Sequence, residues 1–177
     1  MKVIIDCNVL ISAGVGSKTC RELITTILRY HQHYLSDPIL EEYYEVCSRS
    51  KFIKNKKRIH ELMRTVCSRS VFVSYVKTGI DLNDKKDEKY LDTALIAEVD
   101  YIITGNIKDL PTQYGKINIC NPATFLQLYS KQFENGAGDE VWARYTRTNC
   151  ARELRTRWYH LCQFLKYDEY RYGLSSP

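Results

Sequence analysis

Met1-Lys2-Val3-Ile4-Ile5-Asp6-Cys7-Asn8-Val9-Leu10 is the stretch from which the fold of this chain is read. Val3, Ile4 and Ile5 form a β-branched apolar run, the pattern of a strand buried on both faces of a parallel sheet. The run stops at a carboxylate, Asp6, and a carboxamide, Asn8, before apolar character returns at Val9, Leu10 and Ile11. A charge beside a buried strand is costly unless a partner offsets it. In open α/β sheets, ligands occupy the crevice beyond the carboxyl ends of the strands, where Asp6 would stand. On the decapeptide alone, Asp6 is either a functional carboxylate or a cap for the following turn.

Downstream, strand and helix patterns alternate. Gly14 and Gly16 mark a turn, Ser17 is a candidate N-cap, and Cys20, Leu23, Ile24, Ile27 and Leu28 recur at helical spacing to about Arg29. His33-Tyr34-Leu35 reads as a second strand, and Asp37-Pro38 as N-cap and first-turn proline of a helix through Arg49. A basic stretch, Lys51 to Arg58, leads into a helix with Ile59, Leu62, Met63, Val66 and Cys67 on its inner face. Val71 to Val76 is the third expected strand, Asp87 to Glu98 a helix, Tyr101 to Thr104 the fourth strand and Lys116 to Ile119 the fifth. Asn121-Pro122 then caps a helix to about Lys131. This alternation predicts a parallel sheet flanked by helices. Composition shifts near Asn135-Gly136-Ala137-Gly138, so the chain divides into an α/β domain over 1–131 and a helical C-terminal extension over 132–177.

The 177 residues are 44% hydrophobic and 27% charged, which sets them among globular rather than disordered chains. A net charge of +5 permits a polyanionic partner without demanding one. Seven scattered cysteines, with no C-x-x-C pair, argue for buried thiols in a reducing cytosol and against a Cys-based zinc site. No signal peptide or bilayer-length apolar run is visible, so a cytoplasmic protein without membrane association is expected.

The informative acids are those on apolar faces. Glu42 follows Ile39 by three residues and precedes Val46 by four, which places it on the core-facing stripe, while Glu41 shares its side with Asp37 and Glu45. Asp87 opens a helix whose inner face is Leu91, Ala94 and Leu95; Asp92 is a weaker second candidate. Asn106 and Asp109 follow the strand ending at Thr104, at the same sheet edge as Asp6. Each residue has a plain structural reading: cap, solvated rim or turn former. Read together, Asp6, Glu42, Asp87 and Asn106 fall at one rim. Carboxylates about 4 Å apart repel by roughly 4 kcal/mol at an effective dielectric near 20, so three of them need a cation. Oxygen donors without Cys or His favour Mg²⁺ or Mn²⁺.

These segments resemble the motifs of PIN-domain ribonucleases. Ile4-Ile5-Asp6-Cys7-Asn8-Val9-Leu10 is similar to the family's opening motif, and Leu35 to Tyr43 to its second, with the acid on Glu42. Asp87 to Ala94 resembles the third, and Asp100 to Asn106 the fourth. The likeness runs in order from Met1 to about Ser130 and is strongest to the toxin-like bacterial branch related to VapC. It implies a PIN-like three-layer sandwich with a five-stranded parallel sheet. It also implies a Mg²⁺- or Mn²⁺-dependent endoribonuclease, the toxin of a type II toxin–antitoxin pair, with a protein antitoxin and a homodimeric state. Asp6, Glu42 and Asp87 would bind metal, and Asn8 and Thr104 would hold the carboxylates in place. Asn106 stands where many members carry a fourth Asp, and Asp109 is a possible substitute. Lys51, Lys54, Lys56, Lys57 and Arg58 become candidates for contacts to the RNA backbone. The alternative is a non-catalytic RNA-binding or regulatory module of the same fold.

Overall fold

The computed structural model describes residues 1–82, 84–107 and 111–133. The chain divides into two compact units, 1–136 and 137–177, and the second lies outside the described residues. The expected helical extension over 132–177 therefore lies outside them almost entirely.

Strand β1 (Lys2–Ile5) is central, and its Val3, Ile4 and Ile5 are fully buried. The chain continues through α1 (Cys7–Val15), α2 (Lys18–Tyr30), β2 (Gln32–Leu35), α3 (Asp37–Cys47) and a 3-10 helix (Ser50–Asn55). Then come α4 (Lys56–Ser68), β3 (Val71–Phe72), α5 (Glu88–Ala97), β4 (Tyr101–Ile103), β5 (Gln113–Tyr114), β6 (Ile117–Cys120) and α6 (Pro122–Phe133). The sheet order is β3-β2-β1-β4-β6-β5. The five expected strands are parallel, and a sixth, the two-residue β5, pairs antiparallel with β6 at the edge. No apolar run announced β5: Gln113 and Tyr114 are exposed, and the pairing rests on a tight turn with Gly115 at φ +58°.

From β1 the chain steps outward to β2 and β3, then returns to β4 on the other side of β1. Right-handed crossovers place the helices of these two excursions on opposite faces of the sheet. The reversal makes the carboxyl ends of β1 and β4 a topological switch point, the usual place for a crevice.

Two local readings are corrected. Gly14 does not mark a turn; it lies inside α1, where a Cβ would come within 2.5 Å of Ile59 Cγ1, so the missing side chain lets α1 and α4 approach closely. The helix ends instead at Gly16, whose φ of +132° suits glycine. The third strand is two residues long rather than six: Val73 N–H still donates to Leu35 O of β2 at 2.9 Å, and beyond it the backbone leaves the sheet. Two caps follow expectation, Ser17 Oγ accepting from Cys20 N–H at 3.3 Å and Asn121 Oδ1 from Thr124 N–H at 2.9 Å, whereas the N-cap of α3 is Ser36 and the expected cap, Asp37, is its first helical residue. Cys7, Cys20, Cys47 and Cys67 are buried free thiols. No helix among the described residues is long and apolar enough to cross a membrane.

Candidate functional site

Asp6 directly follows β1 and acts as N-cap of α1, its Oδ1 accepting from Asn8 N–H at 3.0 Å. Its own N–H continues the ladder to Ile103 O of β4 at 2.9 Å, which brings Thr104 alongside. Thr104 Oγ1 donates to Asp6 Oδ2 at 2.5 Å and accepts from Asn106 N–H at 2.9 Å. One hydroxyl thus ties the loop after β4 to the carboxylate after β1. Asp6 is 7% exposed. Burial pushes its pKa above the ordinary carboxylate value, the two donors pull it back, and the nearby Glu42 charge raises it further.

Glu42 arrives from α3. That helix is anchored by Tyr43, fully buried, whose hydroxyl donates to Ile5 O. With Tyr43 pointing into the core, the preceding residue meets the rim, while Glu41 faces solvent. The helical stripe therefore selects the observed glutamate. Glu42 Oε2 accepts the Tyr90 hydroxyl at 2.6 Å and pairs with Lys89 Nζ at 2.9 Å. Tyr90 Oη also accepts from Cys7 N–H at 3.1 Å, so the buried ring of α5 pins the start of α1 and the acid of α3 together.

Asp87 is the half-buried N-cap residue of α5, with helical backbone angles and no side-chain capping bond. Asn106 is exposed, and Asn8 is exposed on the first turn of α1. Asp109 lies outside the described residues. Lys51, Lys54, Lys57 and Arg58 are exposed on the 3-10 helix and the first turn of α4, and Lys56 is half-buried.

The expectation that Asp6, Glu42 and Asp87 meet as a three-acid cluster is not met. Among the described residues, no three His, Cys, Asp or Glu side chains are grouped so as to hold a metal ion. Asp6 and Glu42 do come together; both Asp6 oxygens accept hydrogen bonds, and Glu42 Oε2 is engaged by the Tyr90 hydroxyl and the Lys89 ammonium. Hard oxygen donors suit Mg²⁺ or Mn²⁺ chemically, but the set as it stands does not fit a pre-formed divalent site.

Of the other polar residues around the site, Asp92 is a second candidate in the sequence, whereas Lys89 and Glu88 are given no role there. Lys89 and Tyr90 fall within the stretch Asp87 to Ala94 that resembles the third motif, but nothing in it announces their contact with Glu42; Tyr90 lies directly before Leu91 on the apolar side of α5, and its burial was legible from that. Glu88, 4% exposed, accepts from Leu82 N–H at 3.3 Å and pairs with Lys85 at 3.1 Å and Lys77 at 3.6 Å. Asp92, fully buried, accepts from Tyr75 Oη at 2.7 Å, Thr78 N–H at 2.9 Å and Thr78 Oγ1 at 2.5 Å. Burial would raise Asp92, yet its donors outweigh that and hold the carboxyl below its ordinary value. Asp92 is thus an anchor for the segment after β3.

A PIN domain family model matches residues 2–108, well over half of the chain, and the chain belongs to that family. Among solved structures, the fold is similar to one described as VapBC2 from Rickettsia felis bound to a DNA fragment from their promoter. That match has a TM-score of 0.51 at 14% identity and covers 68% of this chain and 98% of the other. No curated protein matches the sequence.

Proposed function

We propose that this chain is an endoribonuclease hydrolysing RNA phosphodiester bonds, the toxin of a type II toxin–antitoxin pair, with Mg²⁺ or Mn²⁺ as its cofactor. The observation that carries the reading is the pairing of Asp6 with Glu42 at the β1/β4 switch point of a PIN fold. A carboxylate this buried, beside a second one, is an expensive arrangement for a purely structural cap. By family likeness the reaction is assigned to Asp6, Glu42, Asp87 and Asn106, and the closeness of Asp6 to Glu42 supports the first two. Thr104 and Asn8 hold Asp6, the former through its hydroxyl and the latter through its backbone N–H. A divalent ion would supply an activated water and neutralise charge on the phosphate. Lys51, Lys54, Lys56, Lys57 and Arg58 form a basic run suited to backbone phosphates without sequence preference. The toxin assignment, the antitoxin partner and the homodimer rest on family likeness and on the VapBC2 neighbour's description.

The test is cleavage of single-stranded RNA by the full chain with Mn²⁺, with Mg²⁺ and with EDTA, alongside Asp6→Asn. Divalent-dependent cleavage that Asp6→Asn abolishes is expected. Equal cleavage by the variant would remove the assignment. A second reading, a non-catalytic RNA-binding module, is favoured by the Lys89–Glu42 pair and by Asn106, since both lower the negative charge of the rim. It predicts RNA binding indifferent to EDTA and no cleavage with either ion.

A further inference from the structure

The acid pair already has a cation. Lys89 Nζ lies 2.9 Å from Glu42 Oε2, with the two side chains only 18% and 24% exposed, so water screens the pair poorly. The lysine stem passes the Tyr90 ring, its ammonium 5.7 Å from the centroid, and Tyr90 Oη donates to the same carboxylate oxygen. Neighbouring cations are committed elsewhere: Lys85 and Lys77 to Glu88, and Arg49 to Glu45. Lys89 therefore stands where a hard divalent ion would seek its oxygen, and two cations on one carboxylate oxygen repel each other.

We propose that Lys89 is the built-in counter-ion of the Asp6–Glu42 pair and competes with a divalent metal for Glu42. Metal affinity is then set by how readily the ammonium leaves, and one of the pair's two negative charges is offset at rest. This rests on the reading above that these acids are where a divalent ion would go.

The experiment titrates Mn²⁺ into the full chain and reads the free ion by electron paramagnetic resonance. Wild type is compared with Lys89→Met, Lys89→Arg and a Lys89→Met/Glu42→Gln double variant. Lys89→Met should tighten binding by about tenfold or more, Lys89→Arg should stay near wild type, and the double variant should lose the gain. Lys89→Gln, which keeps a polar end, repeats the comparison if the methionine variant folds poorly. Equal or weaker binding after loss of the ammonium overturns the proposal, as does a gain that survives Glu42→Gln. Wild-type RNA cleavage is measured in parallel. Cleavage with an unchanged Lys89→Met affinity removes Lys89 as competitor and leaves the nuclease reading. Tightened binding without any cleavage keeps the Lys89 role and removes the nuclease reading.

Discussion

Acid should destabilise this protein through His33 well before the carboxylates titrate. The ring is 1% exposed in β2. Its Nε2 accepts from Ile5 N–H at 3.3 Å, where β1 and β2 have stopped pairing directly, and its Nδ1 lies 2.6 Å from Ser70 Oγ. Ser70 spends its own proton on Val66 O at 2.7 Å, so Nδ1 must be the donor and the ring is neutral. A second ring proton would sit on Nε2 and face the Ile5 N–H, donor against donor. Burial accordingly lowers the His33 pKa from 6.5 to about 3. Between those two values the unfolded chain binds the proton and the folded one does not, so stability falls as pH drops through the window and is intact above it. At about 1.4 kcal/mol per unit, the loss at pH 5 is about 2 kcal/mol relative to pH 7. His31, lowered to about 4, acts in the same direction, while Asp6, raised, acts in the opposite one. Urea unfolding of wild type and His33→Gln at pH 7 and pH 5 isolates the term: the wild type should lose about 2 kcal/mol more than the variant. Ring resonances of His33 should show no titration above pH 4.5. A midpoint near 6.5, or equal losses in the two proteins, would refute the reasoning.

Further outcomes follow from other contacts. Tyr90→Phe leaves the Cys7 N–H and Glu42 Oε2 each short of a partner, and should cost about 1–3 kcal/mol in chemical denaturation. Asp92→Ala strips three donors of one buried acceptor, so it should cost roughly 2 kcal/mol and speed limited proteolysis between Val73 and Leu82. Gly14→Ala drives a methyl into Ile59, and a drop of about 1–3 kcal/mol in unfolding free energy is expected. If the exposed lysines contact phosphates, Lys54→Gln with Lys57→Gln should weaken RNA binding equally across sequences and flatten its salt dependence.

Much of the architecture was legible because it rests on local chemistry. A β-branched triplet ending in Asp6 announces a buried parallel strand, and helical spacing of Ile39 and Val46 selects Glu42 over Glu41. Ser17 and Asn121 cap helices by contacts within three residues. Such features need only the chain's own neighbours. What tertiary structure alone decided is which distant groups share an oxygen. Thr104 reaches Asp6 because β4 lies beside β1, 98 residues away. Lys89 and Tyr90 reach Glu42 because α5 and α3 meet at the rim, 47 and 48 residues apart. A motif records where an acid stands along the chain, but whether a third acid or an ammonium faces it depends on helix placement, which periodicity does not encode.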